Sequence, residues 1–193
     1  MTATQSKARI ITKRWSSPCG ELELASLGEE LVMCDWVNGW HRQAGLRRTA
    51  RLLKAEFAPG DSPIINRALE ELGEYFAGRR RTFDIRVRLV GSDFQVALWK
   101  ALSDIPYGQL VTYGTLARRL GKPSATRAVA NAVGANPFSI IIPCHRVIGA
   151  DGSLTGYGGG YSAKRKLLAL ETGLSEESLP WPNGPEPSNK THR

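Results

Sequence analysis

Along the first third of the chain, polar and apolar residues alternate in short runs. Glu21-Leu22-Glu23-Leu24 is the clearest case, the mark of a strand with one face in a core. Three strands are predicted, over Arg9 to Trp15, Glu21 to Ser26 and Leu31 to Trp36, separated by Ser16-Ser17-Pro18 and Gly28-Glu29-Glu30. The period then lengthens. Two helices are expected, near Thr49 to Phe57 and Ile64 to Phe76, and in the second Ile65, Leu69, Leu72 and Phe76 recur at helical spacing. Phe83, Ile85, Val87 and Leu89 alternate with Asp84, Arg86 and Arg88 and predict one more half-exposed strand. Residues 1–90 thus read as an α/β N-terminal domain, a short antiparallel sheet plus helices.

From Ser92 the pattern becomes helical. Ser92 followed by Gln95 is a capping-box signature that opens a helix through Ser103, with Phe94, Leu98 and Leu102 on its buried face. After Ile105-Pro106-Tyr107-Gly108 a helix is expected from Thr112 to Leu120; Gly121-Lys122-Pro123 breaks it, and Ser124 is placed to cap another that ends near Ala135. This is the outline of a helix-turn-helix, and equally of two packed helices. Asn136-Pro137 ends the second helix. The apolar run Ile140-Ile141-Ile142 then leads, in a buried β-like segment, into Pro143-Cys144-His145-Arg146-Val147. Gly149 to Tyr161 holds six glycines, too many for a helix; Ser162 to Glu171 is helical, with Gly173 suited to its C-cap. Residues 91–175 read as a mainly α C-terminal domain with a helix-turn-helix. Residues 176–193, with four prolines and no apolar period, read as a flexible tail.

Composition changes little until charge is considered. Of 193 residues, 41% are hydrophobic and 23% charged, ordinary for a soluble globular chain. No apolar run is long enough to span a bilayer, and the N-terminus lacks a secretory pattern, so a cytoplasmic protein is expected. Cys19, Cys34 and Cys144 are odd in number and irregularly spaced, which argues against a disulfide framework. With His41, His145 and His192 they form no metal-ligand spacing, so neither metal nor cofactor is expected. The net charge is +8, and its distribution is informative: from Ile105 to Ala150 there is no Asp or Glu, while Arg118, Arg119, Lys122, Arg127 and Arg146 fall inside. A surface for phosphates has that composition.

Cys144 beside His145 is a candidate nucleophile, since a thiolate is the reactive form and an imidazole can take its proton. In an extended chain neighbouring side chains diverge, so contact needs a bend or a bridging water. Glu171, in an otherwise apolar stretch, is either the group that orients His145 or a surface carboxylate. On the first view Glu171→Gln is still expected to affect the fold only modestly, because leucines hold that helix.

The run from Asn136-Pro137 to Pro143-Cys144-His145-Arg146-Val147, followed by the glycine-rich loop, closely resembles the O6-alkylguanine-DNA alkyltransferases, also called methylated-DNA–protein-cysteine methyltransferases. The resemblance extends over Phe94 to Gly173, through Phe94-Gln95-Val96-Ala97-Leu98-Trp99, Ile105-Pro106-Tyr107-Gly108, Thr112-Tyr113, Arg127-Ala128-Val129 and Leu168-Ala169-Leu170-Glu171. Ser17-Pro18-Cys19-Gly20-Glu21-Leu22 is similar too, but less so.

The resemblance implies a single-turnover repair protein that flips O6-alkylguanine, with O4-alkylthymine a second candidate, out of double-stranded DNA from the minor groove. The alkyl group passes irreversibly to Cys144, with no cofactor and in a monomer. It makes His145 the water-linked base, Glu171 its orienter and Asn136 the tie between recognition helix and active-site segment. Tyr113 helps rotate the 3′ phosphate and donates to guanine N3. Arg127 fills the gap in the duplex, with Ala128, Arg118, Arg119 and Lys122 on the DNA face. Carbonyls of Cys144 and Val147 read the guanine amino group, and Tyr157, Gly158 and Gly159 line the pocket.

Ala130 departs from the family's usual glycine, and Gly134 and Ala135 bring no charge to the end of that helix. The zinc ligands of some members have no clear counterparts here. Two alternatives remain: a non-enzymatic damage-recognition protein, whose known kind carries tryptophan where Cys144 stands, and a helix-turn-helix regulator. A thiol hydrolase is weaker, since it gives no reason for the basic surroundings.

Overall fold

A computed structural model describes residues 8–154 and 156–180. Strands β1 (Ala8–Ser17), β2 (Gly20–Leu27) and β3 (Glu30–Trp36) form an antiparallel meander where the alternation predicts it. The β1–β2 turn closes on Gly20 at φ 134°, a conformation that excludes most other residues, and Ser17 Oγ bonds Gly20 O and Cys19 N.

Helix α1 runs over Arg42–Leu53, earlier than the predicted Thr49 to Phe57. Lys54 ends it in the left-handed region (φ 50°), and Ala55–Pro59 forms strand β4, parallel to β1. The sheet order is therefore β3-β2-β1-β4, with one parallel pair. Ala55 and Phe57 pack against Ile10, Ala25 and Val32, so the sheet edge takes residues that local propensity would leave helical. Helix α2 (Pro63–Phe76) matches its prediction, with Ser62 as N-cap and Pro63 in the first turn.

The segment Phe83–Leu89 is extended but is no regular strand. Leu31 N donates to Arg86 O and Arg88 N to Leu31 O, giving a single bridge, Leu31 to Val87. The reason lies further along β3: Cys34 N donates to Pro137 O, so a second segment occupies the rest of that edge.

Helix α3 (Asp93–Ser103) carries the expected capping box in both directions. Strand β5 (Val111–Thr112) pairs in parallel with β6 (Val147–Ile148). Thr112 caps α4 (Tyr113–Arg119), and after a turn through Gly121 (φ 67°) comes α5 (Thr126–Gly134). These two make the helix-turn-helix. Ser124 is not the cap: Ala125 holds that position with no side-chain bond, and the first turn has no acid. The N–H groups that open α5 thus lack a side-chain cap, an end suited to an anion. Helix α6 (Gly160–Thr172) ends on Gly173 at φ 72°, as expected.

A single apolar cluster runs through sheet and helices, from Leu22, Leu24, Trp36 and Tyr75 to Leu98, Trp99, Val129, Phe138 and Leu167, and it includes Cys144. Burial of each such large side chain contributes about 1.5–3 kcal/mol. Residues 176–180 depart from the tail reading: Ser175 and Ser178 form a turn and Leu179 is buried against Leu154 and Leu168. The remainder of the predicted tail lies outside the described residues. No described helix is long and apolar enough to cross a membrane.

Candidate active site

The path from α5 to Cys144 is a series of buried turns rather than a strand. Asn136 organises it: its Nδ2 donates to Ile142 O (2.9 Å) and Phe138 O (3.4 Å), and its Oδ1 accepts from Phe138 N (3.0 Å). Ile140 sits at φ 72°, costly for a β-branched residue, on the order of 1–3 kcal/mol. Packing of Phe138, Ile140 and Ile142 in the core, and a bond from Ser139 Oγ to Asp35 Oδ1 (3.0 Å), hold it there.

Cys144–Arg146 is one 3-10 turn, not the β-like stretch expected. That bend separates three consecutive side chains, all buried. His145 Nε2 lies 2.7 Å from Glu171 Oε1, and its Nδ1 is buried without a protein partner. Arg146 folds inward: Nε to Glu171 Oε2 (2.8 Å), Nη2 to Oε1 (2.9 Å), Nη1 to Ile105 O (2.5 Å). Glu171 also accepts from Tyr75 OH (2.8 Å) and Gly108 N (3.0 Å). Every partner of that carboxylate is a donor.

Burial pushes the Glu171 carboxyl up, but His145 and Arg146 outweigh it and hold it well below the usual carboxylate range. Burial lowers His145 from its ordinary 6.5, against the pull of Glu171. The imidazole is therefore neutral at neutral pH, with Nε2–H facing the carboxylate and Nδ1 left as acceptor. Burial raises the Cys144 thiol to about 11, opposed by the Asn136 side chain and Lys164, with Asp35 adding to the rise. The resting pair is thiol and imidazole, so the sulfur must lose its proton during reaction rather than before it.

The chain matches two family models, "6-O-methylguanine DNA methyltransferase, ribonuclease-like domain" over residues 11–89 and "6-O-methylguanine DNA methyltransferase, DNA binding domain" over residues 93–173. It belongs to that family. The methylated-DNA–protein-cysteine methyltransferase of Mycobacterium tuberculosis is 45% identical over 84% of this chain and 93% of its own. That of Methanosarcina acetivorans is 50% identical over 81% and 95%. Among solved structures, the Mycobacterium tuberculosis OGT crystallised in complex with DNA aligns with TM-score 0.73 at 41% identity, over 88% of this chain and 97% of that one.

In this alkyltransferase the structure brings Cys144, His145, Glu171, Asn136, Val147 and Tyr157 together. Val147 O accepts from Lys164 Nζ (2.6 Å) and Cys144 O from Val147 N, each carbonyl keeping a second lone pair. Tyr113 opens α4 at the rim; a Cβ on Gly156 would lie 2.9 Å from its hydroxyl. Burial raises that phenol to about 12, so it stays a donor at neutral pH. Gly158 and Gly159 pack against His41 and Trp36. Arg127 and Ala128 on α5, Arg118 and Arg119 at the end of α4, and Lys122 in the turn are exposed. Lys122 Nζ lies over the Phe94 ring (6.0 Å).

Arg146 does not belong with those basic residues, because a buried guanidinium paired to Glu171 cannot serve a phosphate. Sequence reasoning also missed Tyr75 and Lys164. Lys164 is fully buried and pushed down to about 8 by burial, with the Cys144 thiol pulling the other way. One signal was available: Lys164 stands two turns before Glu171 on one face of α6. A cleft of about 540 Å³ lined by Gly28, Pro63, Ile64, Arg67 and Asp84 shares no residue with this site.

These shifts predict acid lability. His145 has its folded value below 6.5, so below that pH the unfolded chain gains a proton the folded chain refuses, and stability falls. Glu171 repeats the effect below its ordinary 4.5. Melting temperature should drop steadily from pH 7 to pH 4, roughly 4 °C or less per kcal/mol lost for a chain of this size. A melting temperature that rises on acidification through this window would contradict the assigned charge states.

Proposed function

We propose that the protein grips duplex DNA from the minor groove, turns an O6-alkylated guanine out of the stack and moves the alkyl group to its own Cys144. O4-alkylthymine is a second candidate substrate. The carrying observation is the 2.7 Å bond from His145 to the buried Glu171, which leaves Nδ1 as a base in the same 3-10 turn as the thiol.

In the reaction the C–S bond forms as the C–O6 bond breaks. The thiol proton passes through water to His145 Nδ1, and Tyr113 gives its own proton to the departing guanine at N3. The phenolate is reprotonated through solvent as the imidazolium loses the proton it took, so the thiol proton ends on the base overall. The thioether has no step that breaks it, so one protein molecule repairs one base. Residues of the chain supply all of this without metal or cofactor, and the protein acts as a cytoplasmic monomer. Extruding the nucleotide costs a few kcal/mol, which Arg127 offsets by entering the gap, while Arg118, Arg119, Lys122 and the first turn of α5 hold phosphates. A non-enzymatic damage sensor would have no use for this thiol, and a sequence-reading regulator none for the base beside it.

Mixing the protein with duplex DNA containing O6-methylguanine tests this: one methyl mass should appear on the peptide holding Cys144, and uptake should stop at one equivalent. Turnover beyond one equivalent defeats the single-use mechanism. Arg127→Ala should slow repair in duplex on the order of tenfold or more while sparing reaction with free O6-benzylguanine, which needs no extrusion. Equal losses on both substrates would remove the wedge role.

A further inference from the structure

The glycine-rich loop beside Cys144 is backed by rings from the other end of the chain. A Cβ on Gly158 would lie 2.2 Å from His41 Cε1, and one on Gly159 would lie 2.5 Å from Trp36 Nε1. Neither glycine has a positive φ, so each is required for space and not for conformation. Between them and the site stands Tyr157, whose hydroxyl accepts from Trp36 Nε1 (3.1 Å) and whose ring meets the edge of His145 (6.3 Å between centroids).

The backing rings are themselves fixed. Trp36 ends β3 and is buried. His41, also buried, places Nε2 3.2 Å from Asp35 Oδ2 in a close contact outside hydrogen-bond geometry, while Asp35 Oδ1 accepts from Trp36 N and from Ser139 Oγ. One buried carboxylate therefore holds both the wall behind the loop and the turn that leads to Cys144. The loop cannot retreat from the sulfur, because the space behind its backbone is already filled.

We propose that Trp36 and His41, packed beside Asp35, are specificity-determining positioning residues: they press Tyr157–Gly159 toward Cys144 and so set the largest alkyl group the thiol accepts. This rests on the alkyl-transfer reading above. Removing the imidazole of His41 frees room behind Gly158, lets the loop back away and favours bulky groups. Adding a methyl at Gly158 pushes the loop off the same ring and into the pocket.

The test is a competition in one tube between two duplexes of one sequence, one carrying O6-methylguanine and the other O6-benzylguanine. The readout is the ratio of benzyl to methyl found on Cys144, which does not depend on the fraction of protein folded. His41→Ala should raise the ratio by about tenfold, the usual worth of a methylene-sized change in a pocket, and Gly158→Ala should lower it by a similar factor. His41→Ala/Gly158→Ala should return it toward the parental value, since the methyl then occupies the vacated space. If His41→Ala does not fold, His41→Gln, a smaller cut, should move the ratio the same way. A ratio unmoved in both single variants, or moved in the same direction by both, overturns the inference. If the parent protein takes up neither group, the proposed function fails instead.

Discussion

Cys144→Ala is expected to abolish alkyl uptake entirely while DNA affinity stays at the parental level. The sulfur is the atom to which the group is bonded, so no residual pathway exists through water or a neighbour. Neither other thiol can substitute. Burial raises Cys34 far above the ordinary thiol value, and burial raises Cys19 to about 11. The exposed cations expected to hold phosphates lie on α4, α5 and the turn between them, away from the 3-10 turn that carries Cys144. Loss of one buried sulfur should cost about 1 kcal/mol of stability, too little to unfold the domain. Intact mass after incubation with the O6-methylguanine duplex, beside a gel shift on the same sample, reads both halves. Methyl found on Cys19 or Cys34 in this variant would show that Cys144 is not the acceptor.

What could be read in advance follows the range of the forces involved. The β1–β3 meander, the Ser92/Gln95 capping box and the Gly173 C-cap rest on residues a few positions apart, and all appear where their pattern places them. Strand β4 was hidden because its ladder is with β1, forty-seven residues back along the chain; up to Lys54 the same stretch continues as helix. Ser124 looked like a cap by type, yet the turn after Gly121 carries the chain one residue further before α5 begins.

The site divides the same way. Cys144 and His145 are legible as a pair, and family resemblance assigns Glu171 to them. The donors that fix Glu171 come from Tyr75 and Gly108, 96 and 63 residues away, and from Arg146, whose charge reads equally well as a phosphate contact until its burial is known. Nothing in the segment Asp35 to His41 signals that it braces a loop more than a hundred residues later. That relation exists only once β3 shares its edge with Pro137 and Phe138.

Glu171→Gln is expected to damage both chemistry and fold, although the leucines of α6 alone suggest a tolerant position. The carboxylate accepts five bonds, from Tyr75, His145, Gly108 and twice from Arg146. A glutamine of the same shape brings an amide NH2 to a site surrounded by donors. Turned toward Oε2, it opposes Gly108 N–H and Arg146 Nε–H. Turned toward Oε1, it faces His145, which can accept only by moving its proton from Nε2 to Nδ1. That tautomer has no base left for the thiol. Loss of the anion also strands the Arg146 guanidinium in the core, and breaking a buried pair from one side costs about 3–5 kcal/mol. Transfer to free O6-benzylguanine at pH 7 should slow on the order of 100-fold, the usual contribution of a positioned base. As pH climbs toward the thiol's value of about 11, thiolate forms without help and part of the rate should return. Denaturant unfolding and single-turnover rates from pH 7 to pH 10 measure the two effects separately. A variant with parental stability and a parental rate across that range would place Glu171 outside the proton path.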